Sequence, residues 1–110
     1  MAAEYSNLEQ AIERFISDLH RANLSPNTIR SYHADLKGFV RYFSPPGTHT
    51  PELSYFQPLE IREFMADQYR RGNANRSVAR KLSTLRTFFN FLVREGLVTS
   101  NPTVLLGSPK

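Results

Sequence analysis

The sequence predicts an all-α fold, a compact bundle of four to five helices, on three observations. Apolar residues recur at i, i+3, i+4 and i+7 through four segments, and no stretch carries the two-residue alternation of a strand. Capping residues, helix-start prolines and closing glycines fall at the boundaries of these segments. The chain has 110 residues, the size of one ordinary domain. At that length roughly two-thirds of the unfolded surface is buried, so a core needs no covalent staple. The absence of cysteine is consistent with this, and it removes thiolate metal sites and cysteine nucleophiles as well.

The first helix is predicted roughly over 7–22. Ser6 and Glu9 have capping-box spacing. Leu8, Ile12, Phe15, Ile16 and Leu19 share one face, with Glu9, Glu13 and Asp18 mostly off it. The second helix is predicted over 26–43. Ser25 is its cap, and Pro26 suits the first helical position because its missing N–H had no partner to lose. Ile29, Tyr32, Leu36, Phe39, Val40 and Phe43 form an apolar stripe. Opposite lie the small or short residues Asn27, Ser31, Ala34 and Gly38, flanked by Arg30, Lys37 and Arg41. Such a face admits either a bulky polyanion or another helix, and the residues alone leave both open.

Residues 44–57 hold three prolines and a glycine and cannot continue a helix. They read as a loop, with Leu53, Tyr55 and Phe56 as anchors to the core. The third helix is predicted over 58–71. Pro58 starts it, Glu60 and Glu63 favour its N-terminal dipole, Arg70 and Arg71 favour the other end, and Gly72 stops it. Ile61, Phe64, Met65 and Tyr69 supply its buried side. The fourth helix is predicted over 76–95, capped by Asn75 and ended by Gly96, with Val78, Leu82, Leu85, Phe89, Leu92 and Val93 as its stripe. The tail 97–110 reads as a short helical turn followed by a linker.

The charge is unevenly placed. The net +4 divides into −3 over residues 1–68 and +7 over residues 69–110, where Glu95 is the single acid. At roughly 100° per residue, Arg76, Arg80, Ser83, Thr87 and Arg94 project opposite the apolar stripe of the fourth helix. Thr84 and Asn90 lie at the edges of this strip, and Lys81 and Arg86 sit nearer the core boundary. Guanidinium groups pair with phosphate or guanine, and hydroxyls take backbone contacts, so an acid-free strip of this kind suits a DNA groove. A solvated helix face usually mixes signs, as the first and third helices do.

Other chemistry has little support. His20, His33 and His49 have no metal-ligand spacing, the five tyrosines lack an Arg/His cluster, and no phosphate-binding glycine loop occurs. No apolar run reaches the roughly 18 residues of a membrane span, and the first residues show no signal-peptide pattern. Metals, cofactors and small-molecule substrates are therefore not expected.

The run Arg76-Ser77-Val78-Ala79-Arg80-Lys81-Leu82-Ser83-Thr84-Leu85-Arg86-Thr87-Phe88-Phe89-Asn90-Phe91-Leu92-Val93-Arg94-Glu95-Gly96 resembles the last long helix of the N-terminal core-binding domain of tyrosine recombinases, most closely the Xer type. Leu24-Ser25-Pro26-Asn27-Thr28-Ile29-Arg30-Ser31-Tyr32, with Asp35, Leu36 and Phe39, is similar to that family's second-helix opening. Asn101-Pro102 followed by Ser108-Pro109-Lys110 is similar to its exit into the catalytic domain. The resemblance implies a SAM-like bundle that, with a larger catalytic domain, clamps double-stranded DNA. It implies that residues 1–100 are the DNA-binding domain and 101–110 the start of a linker to a catalytic domain absent here.

By position, the resemblance brings Thr28, Arg30 and Ser31 to the DNA backbone from the second helix. From the fourth it brings Arg76, Arg80, Lys81, Ser83, Thr84, Thr87 and Arg86. Arg86 has a second reading, in which its stem packs and bridges helices. The family's catalytic tyrosine, arginines, histidine and lysine lie in the other domain and map to nothing in this chain, which itself cleaves nothing. The implied partners are duplex DNA and other recombinase protomers assembled on it, and the implied location is the cytoplasm, at the nucleoid. The alternative from another class is a helical protein–protein interaction module that does not bind DNA.

Overall fold

The computed structural model describes residues 7–104 and 106. The described residues form four α-helices: α1 (Leu8–Arg21), α2 (Pro26–Phe43), α3 (Pro58–Arg70) and α4 (Asn75–Arg94). A single 3-10 turn, Leu53–Tyr55, lies between α2 and α3. The chain divides into two compact units, residues 1–53 and residues 54–110.

The first unit is a helical hairpin of α1 and α2. Asn7 caps α1, its Oδ1 accepting from the backbone N–H of Glu9 at 2.8 Å and of Gln10 at 3.3 Å. Ser6, the cap expected from its spacing to Glu9, lies outside the described residues. Leu8, Ala11, Ile12, Phe15 and Leu19 are buried along α1. On α2 the buried residues are Ile29, Asp35, Leu36 and Phe39. The Phe15 and Tyr32 rings meet edge to face at 5.8 Å. Ser25 caps α2 as expected, its Oγ accepting from Thr28 N–H at 3.2 Å. The loop after α2 returns to the start of α1. Thr50 Oγ1 donates to Glu9 Oε1 at 2.7 Å, and Asn7 and Glu52 form an antiparallel bridge.

The second unit pairs α3 with α4. Phe56 is buried and its ring lies 6.2 Å from that of Phe89. Tyr55, expected as a second anchor, is 51% exposed. On α3 the buried set is Ile61, Phe64, Met65 and Gln68, the i, i+3, i+4, i+7 stripe. Tyr69, expected on that side, is instead exposed, one position beyond the stripe. Glu60 Oε1 accepts from the N–H of Gln57, satisfying one amide at the start of α3.

Three helices end in the same way. After α1, Asn23 takes φ 60°, with Asn23 N–H donating to the His20 carbonyl and Leu24 N–H to that of Leu19. After α3, Gly72 and Asn73 bond to Tyr69 and Gln68, and after α4, Gly96 and Leu97 bond to Val93 and Leu92. This paired 5→2 and 6→1 pattern is the Schellman turn, whose left-handed residue favours glycine or asparagine. The stops predicted at Gly72 and Gly96 are thus present, while the turn at Asn23 carried no glycine to mark it.

α4 starts one residue earlier than expected. Ala74 is extended (φ −68°, ψ 154°) and holds the cap position without a side-chain bond, and Asn75 is the first helical residue. Asn75, expected as the cap, thus lies one residue inside the helix. The buried arc of α4 is also broader than its expected stripe. Val78, Leu82, Thr84, Leu85, Phe88, Phe89, Phe91 and Leu92 are all buried, while Val93, assigned to the stripe, is 38% exposed. At roughly 100° per residue this set covers about half the helix circumference, centred away from Val93.

The two sides of α4 should therefore respond differently to truncation. Phe89→Ala is expected to cost about 3–5 kcal/mol in urea unfolding, whereas Val93→Ala should cost less than about 1 kcal/mol. Comparable losses at both positions would show that the buried arc has been misplaced.

Candidate nucleic-acid interface

On α2, Thr28, Arg30 and Ser31 are exposed near the helix start. Thr28 Oγ1 accepts from Ser25 Oγ at 2.9 Å, so this hydroxyl belongs to the cap network and keeps its own proton to donate. The Arg30 guanidinium donates to Asn27 Oδ1, one turn back, which steadies it beside the small face. A shallow concavity in the same unit is lined by Glu9, Glu13, His33, Lys37 and Arg41. It sets two carboxylates against two permanent cations and so lacks a field of one sign.

α4 has the opposite character. From Asn75 to Arg94 it contains no acidic residue. Arg76, Arg80 and Ser83 are exposed and Thr87 is half-buried, all on one side of the helix. Arg94 is exposed, and its guanidinium carbon lies 5.4 Å from the centre of the Phe91 ring, a cation–π distance. This holds the last cation of the strip over a buried aromatic.

Three residues that the resemblance brings to DNA are turned elsewhere. Thr84 is 4% exposed and belongs to the buried side of α4, so it offers no surface to a ligand. Lys81 points to α3, its Nζ donating to Gln68 Oε1 at 2.5 Å. Gln68 is itself 7% exposed and also accepts from Asn73 Nδ2 at 3.2 Å. A nearly buried amide oxygen is costly to leave unpaired, and the lysine ammonium is well suited to satisfy it. Arg86 donates through one guanidinium nitrogen to the carbonyl of Leu106 at 2.6 Å. Its second reading, packing and bridging, describes it better than a ligand contact does.

Thr87 keeps its place but not its expected chemistry. Its hydroxyl donates to the Ser83 carbonyl at 3.1 Å, so the proton is spent inside the helix and an acceptor is left. The exposed cationic strip is therefore Arg76, Arg80 and Arg94, with Ser83 beside them. The segment after α4 packs against the same helix. Pro102 and Thr103 are buried, and Asn101 Nδ2 donates to the Arg86 carbonyl at 3.2 Å. These attachments arise only in the folded chain, since no spacing rule joins residues 86 and 106.

Among the described residues, no group of three or more potential metal ligands occurs. No helix among them is long and apolar enough to cross a membrane.

Comparison with known proteins places this geometry. Residues 12–96 match the phage integrase N-terminal SAM-like domain. The chain belongs to that family. Tyrosine recombinase XerC of Oceanobacillus iheyensis is 38% identical over 107 residues, which cover 96% of this chain and 34% of the relative. Tyrosine recombinase XerD of Yersinia pestis is 37% identical over 100 residues, covering 90% and 32%. The chain thus spans about a third of the length of the curated relatives it matches. Among solved structures, a lambda integrase dimer bound to a COC' core site superimposes with a TM-score of 0.80 at 21% identity, over 94% of this chain and 28% of that one. The integrase of mycobacterium phage Brujita gives 0.71, also at 21% identity, over 90% and 32%. These structures share the all-α fold of the integrase N-terminal domain.

The reassignment of Lys81 is open to a stability test. Removing the donor to a nearly buried oxygen should make Lys81→Ala about 1 kcal/mol less stable. Ser83→Ala on the exposed strip should stay within about 0.5 kcal/mol of the parent. Equal stability of the two variants in urea unfolding would return Lys81 to the solvent face.

Proposed function

We propose that this chain binds duplex DNA as the N-terminal part of a site-specific tyrosine recombinase, gripping it through the exposed strip of α4, with the start of α2 as a second contact. One observation carries the reading: a helix of a tyrosine-recombinase domain presents Arg76, Arg80 and Arg94 with no acid along its length. Three cations on one face neutralise phosphates without the like-charge repulsion that a mixed face brings. Membership of the family and the DNA-bound state of the lambda integrase neighbour support the same reading.

In this reading the present chain holds DNA and cleaves nothing. Strand cleavage and rejoining belong to the rest of the parent protein, and residues 101–110 begin the connection to it. Other protomers join on the DNA, and the place of action is the nucleoid. On α4, Arg76, Arg80 and Arg94 carry the electrostatics and Ser83 adds a hydroxyl contact; on α2, Thr28, Arg30 and Ser31 make a contact of their own with the backbone. Lys81, Thr84 and Arg86 have no part in it.

Fluorescence anisotropy with a labelled duplex across a salt series tests this. If Arg76, Arg80, Arg94 and Arg30 each neutralise one phosphate, log K should fall with log salt at a slope of about −3.6. Arg76→Ala with Arg80→Ala should lower affinity about tenfold or more and make the slope shallower by about 2. Thr84→Val should bind as the parent does. A flat salt response would refute the electrostatic grip, and self-association without any DNA binding would favour the protein-interaction module instead.

A further inference from the structure

The hydroxyls of the strip leave a gap. Thr84 is buried and the Thr87 proton is spent on the Ser83 carbonyl, so past Ser83 neither threonine offers a donor. Asn90 is exposed on the next turn, three residues after Thr87 and four before Arg94, the spacing that makes side chains neighbours on a helix surface.

The amide of Asn90 is held by a chain of bonds with only one consistent orientation. Thr103 N–H, which can only donate, lies 2.9 Å from Asn101 Oδ1, and Thr103 Oγ1 donates to the same oxygen at 2.7 Å. The Arg86 carbonyl, which can only accept, lies 3.2 Å from Asn101 Nδ2. This orients the Asn101 amide, nitrogen toward α4. Its second N–H then donates to Asn90 at 2.9 Å, so Asn90 must present its oxygen there. The Nδ2 of Asn90, with two N–H donors, is left at the exposed end.

We propose that Asn90 is a further DNA-contacting residue of this chain, serving as a hydrogen-bond donor, and that Asn101 is the positioning residue that turns it so. The inference rests on the DNA-binding reading above. It also sets the kind of contact. Bidentate pairing with adenine needs the oxygen and nitrogen of an asparagine side by side toward the base. Here the oxygen is turned to Asn101, so Asn90 addresses acceptors: a phosphate oxygen, or the acceptor atoms of guanine. The Asn101–Thr103 turn thereby links the segment after α4 to the binding face without touching DNA itself.

Anisotropy titrations of the whole chain with labelled duplexes of several sequences test the inference. Asn90→Ala should weaken binding about fivefold with the salt slope unchanged, because a neutral donor releases no counterion. Arg80→Ala should make the slope shallower by about 1. A loss uniform across sequences marks a phosphate contact, and a loss confined to some marks a guanine edge. Asn90→Asp keeps the acceptor that Asn101 needs, so thermal melting should show it folded, and it should bind more weakly still. Asn101→Ala should reproduce the loss at Asn90→Ala, and the double variant should lose no more than either. Parental binding by folded Asn90→Ala, with Arg80→Ala weakened, would overturn the inference and leave the DNA-binding reading standing. Additive losses in the double variant would overturn the positioning role of Asn101. Parental binding by both Arg76→Ala and Arg80→Ala would instead defeat the underlying reading.

Discussion

α4 is buried through about half of its circumference, and that constraint decides what its basic residues can do. A helix with one narrow apolar stripe leaves most of its polar residues to solvent. Phe88, Phe91 and Thr84 widen the buried arc, and Lys81 within it and Arg86 beside it are drawn into the packing of the second unit. Lys81 serves Gln68 of α3, and Arg86 serves the carbonyl of Leu106. The opposite strip carries Arg76, Arg80 and Arg94, all exposed. The candidate interface is thus shaped as much by what burial removes as by the charges that the helix carries.

The Schellman turn at Gly72 closes α3, and that at Gly96 closes α4 after Arg94. Both turns give their backbone amides to the last carbonyls of the preceding helix, and glycine supplies the left-handed φ that they need.

Asn101 extends the same logic beyond α4. Its amide makes four hydrogen bonds, two given and two accepted, within a turn where Pro102 and Thr103 are buried. An amide satisfied on both ends is stiff, because any rotation breaks several bonds at once. The segment after α4 is therefore attached to the helix that carries the cationic strip, and the side chain of Asn90 is shared between the two.

Much of this molecule was legible from its residues. The all-α class, the four helices, the bounds of α2 and the stops at Gly72 and Gly96 follow from short-range rules of capping, proline geometry and periodicity. The acid-free character of α4 is likewise a property of composition along one helix. The pattern turns Tyr69 and Val93 inward and sets Thr84 at the edge of the polar strip, whereas the first two are exposed and Thr84 is buried, because a helical wheel gives directions but not how wide an arc the neighbouring elements will cover; Tyr55, in the loop, has no periodicity to place it. Lys81 and Arg86 lay near the core boundary on that wheel, and their partners, Gln68 and Leu106, come from other parts of the chain. Sequence by itself determined which helices form and where the positive charge lies, since both depend on residues a few positions apart. Tertiary structure alone decided which cations and hydroxyls are left to meet a ligand, because that depends on long-range packing and on buried polar atoms claiming the nearest donor.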